Sequence, residues 1–460
     1  MAGTADRLAR AHAEKRAHAD FEAARTPAPG TLTPRRRVEQ LIDPGSLFEI
    51  GALTRSQLPA IEDATPGDGV VAGFADVGGR LVGVIADDPV IMGRSDGGVG
   101  MNKRVRIVQQ SLAGGVAIAY LADAALPPEF PDTGEGLLRR GGSDRASVVP
   151  ELRLEERQAP LIAVVLGGLD GADTALLAAA DLTIAGGAAS DATRAIADIA
   201  AGDDAEAIAL ARRCLALLPH DAQDDLRRDS APPAAGISDD VDPASLSIGD
   251  VLAGLLDDGS HFPIHQAADG CFETGLGIID GTLTAYVAAG PQLGLTRAHV
   301  KPLLRLARLR HRFRLPIVLV QHGAAYDPAA LADPETLREI AATGNALREA
   351  DAPLLSLIVS RGYVFGEWIL GGDELGRHYV GAWAQADVSI GPVPAYTTAA
   401  AAADDGRGPF AAAAAGVIDD VMLPTETRDH VGRMLRWTAR MRTLPPPHAD
   451  HQGRILTRLK

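Results

Sequence analysis

Between residues 69 and 88 the chain carries two alternating apolar runs, "GVVAGFADV" and "RLVGVIADD", on either side of Gly78–Gly79. A period of two about a two-residue glycine turn predicts a β-hairpin. The same design returns at 272–290 as "FETGLGIIDGTLTAYVAAG", turning at Asp280–Gly281. Ahead of each hairpin a helical pattern closes in a shared motif, "LIDPGSLFEI" at 41–50 and "LLDDGSHFPI" at 255–264. In these, Leu41, Asp43, Gly45, Ser46, Phe48 and Ile50 meet Leu255, Asp257, Gly259, Ser260, Phe262 and Ile264. Behind each hairpin come a helix, a short apolar run ("GVAIAYLAD" against "PIVLVQHG"), another helix, and a second apolar run ("APLIAVVLGG" against "APLLSLIVSRG"). Continuous apolar runs of that length predict strands covered on both faces. A shared order of elements behind a shared motif predicts a duplicated α/β domain.

Breaks in the pattern set the boundaries. The first residues, "MAGTADRLARAHAEKRAHADFEAAR", predict a charged helix, and "TPAPG" a hinge after it. The polar, proline-bearing stretch "DDLRRDSAPPAAGISDDVDPAS" has no hydrophobic period. The expected division is therefore a helix over 1–30, one domain over 31–225, a linker over 226–242 and a second domain over 243–460.

Composition narrows the class. A chain of 460 residues with 46% hydrophobic and 23% charged side chains suits two globular cores. The two cysteines, Cys214 and Cys271, are too few for a zinc ribbon or a disulfide framework, so a reducing compartment is expected. No apolar run reaches the ~18 residues of a membrane span, and the first helix lacks a signal-peptide core; a cytoplasmic chain without a membrane partner is expected. A net charge of −16 argues against nucleic acid as a general partner.

"RVEQLIDPGSLFEI", "GDGVVAGFADVGGRLVGVIADD" and "AGVIDDVMLPTETRDHVGRML" resemble the carboxyltransferase (β) subunits of biotin-dependent acyl-CoA carboxylases, such as propionyl-CoA carboxylase. The resemblance covers nearly everything after about residue 30. It implies two crotonase-like (ClpP/crotonase) α/β domains in tandem, the first for the acyl-CoA and the second for carboxybiotin. It also implies a dimer or ring-like hexamer that completes its sites between neighbours. The sequence has no biotin-attachment lysine of the Met-Lys-Met kind and no ATP-binding glycine loop. Biotin and its loading are thus expected from a biotin carboxylase/biotin carrier subunit.

Such a reaction has to hold negative charge on a thioester oxygen and on the ureido oxygen of biotin. Backbone N–H groups at a turn into a helix do this without a nucleophilic side chain. By the resemblance, "LGGLDGADTALLAAAD" places Gly171 and Ala172 at these positions in the first domain, and "SRGYVFGEWILGG" places Gly366 and Glu367 there in the second. Two earlier strand ends, Asp123-Ala124-Ala125 and Gln321-His322-Gly323-Ala324, match further glycine turns of the family, with Ala124, Ala125, Gly323 and Ala324 as substrate-binding candidates. Ile369 matches a position that helps choose the acyl chain and implies a preference for longer or branched groups. The chain departs from the family where "DAALPPE" replaces a Ser-Gly-Gly-Ala-Arg run and where single glycines replace pairs.

Alternatives stay open on the residues themselves. Asp173 and Glu367 are either first-turn helix caps or general acids and bases. The basic run 296–314 is either a solvated helix face or a patch for a CoA phosphate or partner domain. His322 and His378 lack metal-ligand spacing and read as hydrogen-bonded surface or turn histidines. The chain is accordingly an active carboxyltransferase, a degenerate partner of an intact β subunit in a mixed ring, or a biotin-independent decarboxylase or hydrolase.

Overall fold

The structure is a computed structural model. It describes residues 3–24, 32–56, 66–92, 98–123, 154, 157–169, 173–290, 294–323, 325–326, 332–349, 352–363, 378–389 and 408–439. The chain forms two compact units, Met1–Asp221 and Ala222–Lys460.

Unit 1 begins with the charged helix α1 (Thr4–Ala24) and the short α2 (Pro34–Leu41). Proline at the first position of α2 has its φ preset for a helix and loses no needed N–H, while Val38 and Leu41 bury its inner face. The sheet follows: β1 (Phe48–Glu49), β2 (Val70–Val77), β3 (Arg80–Asp87), β4 (Ala117–Ala122), β5 (Leu161–Val165), β6 (Leu182–Ala185) and β7 (Ile199–Ala200), in that spatial order. Strands β1 to β3 are antiparallel and β3 to β7 run parallel. Helices α3 (Gly98–Gly114), α4 (Asp173–Ala179) and α5 (Asp204–Leu217) connect or follow the parallel strands.

Unit 2 repeats this plan. Helix α6 (Ile248–Leu255) starts in a reciprocal cap, Ser247 Oγ accepting from Asp250 N and Asp250 accepting from Ser247 N. Strands β8 (Phe262–Gln266), β9 (Phe272–Ile279) and β10 (Thr282–Ala289) form the antiparallel side. After a small strand β11 (Gly294–Leu295) come α7 (Arg297–Phe313), β12 (Ile317–Gln321), β13 (Ala325–Tyr326), α8 (Pro334–Glu349), β14 (Leu354–Ile358), β15 (Arg361–Tyr363), β16 (Tyr379–Trp383), β17 (Asp387–Ser389), β18 (Asp420–Met422) and α9 (Thr427–Thr438). The main sheet reads β8-β9-β10-β12-β14-β16-β18, parallel from β10 onward. Antiparallel hairpin first and parallel strands after, the two sheets share one topology. This is the tandem α/β crotonase-like architecture that the sequence predicts.

The repeated motif proves to be a clamp on the hairpin turn. Asp43 accepts the N–H groups of Gly78 and Gly79 at 3.1 and 2.8 Å, and Asp257 accepts those of Asp280 and Gly281 at 2.9 and 3.1 Å. Both turns hold left-handed residues, Gly78–Gly79 and Asp280–Gly281, which leaves their N–H groups outside the ladder and in need of an acceptor. Each serine binds across to its hairpin: Asp76 N donates to Ser46 Oγ and Ile278 N to Ser260 Oγ. Each aspartate also takes an arginine from the unit's late helix, Arg212 for Asp43 and Arg428 for Asp257.

The stretch 226–242, expected as a linker, packs along unit 2. Arg227 bridges to Thr282, Pro233 bridges to Asp257, and Asp239 accepts from Thr425. Its backbone is tied by hydrogen bonds, and its few apolar contacts, Ile237 and Val241 on the unit 2 core, are too scattered to leave a period to read. The basic helix α7 exposes Arg297 to Glu335 and Glu339 but buries Leu303, Leu306, Phe313 and the stem of Arg310, which donates to Ala352 O. The hinge "TPAPG" lies outside the described residues.

Candidate active site

Parallel strands end together, so their carboxyl ends and the turns beyond collect the residues that a ligand meets in an open α/β sheet. In unit 1, β3 ends at Asp87 and β4 is followed by Asp123, both buried. Asp87 Oδ1 accepts from Arg104 at 2.7 Å, and its Oδ2 accepts from Tyr120 Oη at 2.9 Å and from Asp123 N at 3.3 Å. Asp123 in turn pairs with Arg37 at 2.7 Å and accepts the Gly168 N–H from the turn after β5. Arg37, on α2, also pairs with Asp204 at the start of α5, at 3.0 Å. Burial pushes the carboxyls of Asp87 and Asp123 up, against the pull of Arg104 and Arg37.

Glycine at 167 is required by this packing. A Cβ there would stand 2.0 Å from Asp123 Oδ1, closer than any real carbon–oxygen contact, so the backbone itself lies against the carboxylate. Beside these strand ends a small cleft is lined by Arg35, Glu49, Pro66, Gly67, Asp88 and Ile91, among others. Lys103 reaches under it to the carbonyls of Gly67 and Val70, and burial brings its pKa down to about 8.

In unit 2 the corresponding ends carry uncharged groups. Gln321 donates to Ser356 Oγ at 2.8 Å. His322, fully buried, places Nδ1 2.7 Å from Ser360 Oγ and Nε2 2.7 Å from Leu246 O. Burial pushes this imidazole toward its neutral form. Both histidines sit in hydrogen-bonded bends beside the strands: His322 is a fully buried internal tie, and the half-buried His378 accepts from Leu354 N.

Of the site residues named from sequence, Ala124, Ala125, Gly171, Ala172, Ala324, Gly366, Glu367 and Ile369 lie outside the described residues. Asp173 opens helix α4. Gly323 has a left-handed φ of 95° and donates its N–H to Arg361 O at 2.9 Å, so that N–H is engaged within unit 2. Sequence reasoning missed Arg37, Asp87, Arg104 and Asp204. The available signal was a charge closing an otherwise apolar strand, as in "GVIADD" and "IAYLAD". Among the described residues no group of acids, histidines and cysteines is arranged to hold a metal, and no helix is long and apolar enough to cross a membrane.

A profile of the carboxyl transferase domain matches residues 26–126 and 162–402. The chain belongs to the carboxyl transferase family. Its curated relatives include a propionyl-CoA carboxylase carboxyltransferase subunit of Haloferax mediterranei, 24% identical over 91% of this chain and 92% of the relative. They also include the propionyl-CoA carboxylase beta chain of Saccharopolyspora erythraea, 24% identical over 98% and 95% of the two chains. Among solved structures, a hexameric transcarboxylase 12S superposes with a TM-score of 0.80 at 20% identity, covering 97% of this chain and 98% of that one. These matches run through both units, and so carboxyltransferase membership covers the whole duplicated architecture.

Proposed function

We propose that the chain is the carboxyltransferase subunit of a biotin-dependent acyl-CoA carboxylase. It moves a carboxyl group from N1′ of carboxybiotin to the α-carbon of an acyl-CoA: the N1′–carboxyl bond breaks, the α-carbon–carboxyl bond forms, and the α-proton passes to N1′. The observation that carries this reading is the match to the carboxyl transferase family over both of two units whose main sheets share one strand order. Backbone N–H donors at 171–172 and 366–367 are the proposed oxyanion holders, with the CoA thioester in unit 1 and carboxybiotin in unit 2.

The strand ends fit that division. Gln321, His322 and Ser360 in unit 2 are uncharged and internally bonded, which suits a ureido ring bearing a carboxylate. An ionised acid ~4 Å from that carboxylate would oppose it by roughly 4 kcal/mol at an effective dielectric of 20. Bound carboxybiotin supplies the transferable carboxyl; the chain supplies orientation and charge stabilisation. Ile369 offers apolar surface worth about 0.8 kcal/mol per buried methylene, so the proposed substrates are longer or branched acyl-CoAs rather than acetyl-CoA.

The proposed assembly is a hexamer of this chain or a mixed ring with another β subunit, working in the cytoplasm with a biotin carboxylase/biotin carrier subunit. Isolation of the chain from native extract tests this. A biotin-bearing polypeptide, detected by avidin, is expected to co-purify and to support acyl-CoA-dependent carboxylation. A chain that purifies free of biotin and leaves every acyl-CoA unchanged contradicts it.

A further inference from the structure

The registers of the two sheets align the units residue by residue. Gly83 pairs with Ile118, and Ile118 with Leu161; in unit 2, Ala285 pairs with Ile317, and Ile317 with Leu354. Five residues past Ile118 and Ile317 stand Asp123 and His322; six past Leu161 and Leu354 stand Gly167 and Ser360. The position closing the second parallel strand thus holds an aspartate in one unit and a histidine in the other. Both do the same mechanical job.

Asp123 lies against Gly167 and accepts the Gly168 N–H. His322 bonds Ser360, the counterpart of Gly167. Each also ties in the segment that leads to the unit's first sheet-facing helix. His322 bonds Leu246 O. In unit 1 Asp123 reaches the same place through Arg37 and Asp204, which accepts from Leu32 N at 3.0 Å. By the motif alignment, Leu32 is the counterpart of Leu246, each nine residues before the leucine of its motif, Leu41 or Leu255.

We propose that Asp123 and His322 are matched positioning residues: each fixes the turn that leads from the third parallel strand of its unit toward the proposed oxyanion donors, Asp123 by charge and His322 as a neutral double hydrogen-bonder. The assignment of ligands rests on the reading of unit 1 as the acyl-CoA unit and unit 2 as the carboxybiotin unit; the tie itself does not. Gly168 is three residues before Gly171, and Ser360 six before Gly366, so a released turn shifts the donors without removing them. The groups facing Asp123 are Arg37, Asp204 and the Asp87–Arg104–Tyr120 cluster. Losing its carboxylate leaves Arg37 with Asp204 and frees the Gly168 N–H.

The test uses the full chain and two readouts. The first is amide hydrogen exchange over 161–169 and 354–361. Asp123→Ala is expected to lose at least about tenfold protection around Gly168 alone, and His322→Leu around Ser360 alone, while His322→Asn, whose amide can still reach Ser360, keeps most of it. The second is carboxyl transfer from methylmalonyl-CoA to free biotin. Displaced oxyanion donors cost about 10- to 100-fold in kcat, with KM values within about twofold, because the lost interaction is made in the transition state. Gly167→Ala, which crowds Asp123 without changing a charge, is expected to reproduce the kcat loss of Asp123→Ala. Unchanged protection at Gly168 in Asp123→Ala, or unchanged kcat with protection lost, overturns the proposal. Protection lost as expected in the variants, with a wild-type chain that transfers no carboxyl, keeps the tie and removes the ligand reading instead.

Discussion

Asp257 gives the sharpest stability prediction. Four donors converge on its buried carboxylate: Asp280 N at 2.9 Å, Gly281 N at 3.1 Å, Ala231 N at 3.1 Å and Arg428 at 2.6 Å. Asp257→Ala removes every one of these acceptors. The Gly281 N–H is buried and has no water to turn to, and a hydrogen bond to a charged group contributes about 1.5–3 kcal/mol. The remaining donors lie nearer solvent and recover part of their loss. A total of about 3–5 kcal/mol is expected, comparable to breaking a buried ion pair from one side. The three tryptophans, Trp368, Trp383 and Trp437, all lie in unit 2, and Trp383 is buried with its indole N–H on Thr427 Oγ1 at 2.7 Å. Tryptophan fluorescence therefore reports the unit that carries the change. With a urea slope of about 3 kcal/mol/M, the midpoint should fall by roughly 1–1.7 M, and Asp257→Asn should fall about half as far. A shift below about 0.3 M would refute the view that this aspartate holds the hairpin turn.

Other outcomes follow from the same structure. Lys103 has a pKa of about 8 in the fold against 10.5 for a free lysine, so between those values the unfolded chain binds a proton that the folded one lacks. Stability of unit 1 should therefore rise by up to roughly 3 kcal/mol from pH 8 to 10.5, and Lys103→Met should flatten that rise in urea titrations followed by circular dichroism. Burial depresses the pKa values of His322 and His378 below 6.5, so unit 2 should lose stability as pH falls below 6.5; His378→Asn, which keeps an acceptor for Leu354 N, should weaken that loss in the fluorescence midpoint. Glu367→Ala should keep or raise carboxyl transfer, since only the backbone N–H at that position is proposed to serve; a loss of about 100-fold or more would make the carboxylate a general acid or base.

The duplication was legible because its signals are local. The motif, the two-residue turns and the apolar strands each declare themselves within about twenty residues, and the clamp by Asp43 and Asp257 spans only the distance from motif to hairpin. The ties at the strand ends are written over longer separations. Arg37 and Asp123 are 86 residues apart, and His322 and Ser360 38 apart; parallel pairing brings them together, and nothing in either neighbourhood announces it. The equivalence of Asp123 and His322 is hidden further by the change of residue type. Register exposes it, while identity does not. The stretch 226–242 shows no hydrophobic period for a related reason, since its apolar contacts, Ile237 and Val241, are scattered among polar and backbone-borne ones.

Carboxyl transfer itself is the most direct test of the account. The purified chain is given methylmalonyl-CoA labelled with carbon-13 in its free carboxyl group, with and without free biotin, and the label is followed by NMR. The account predicts biotin-dependent movement of label from the α-carboxyl to N1′ of biotin, with propionyl-CoA appearing in equal amount. Label that stays on the CoA thioester, or leaves as carbon dioxide at the same rate without biotin, would contradict it.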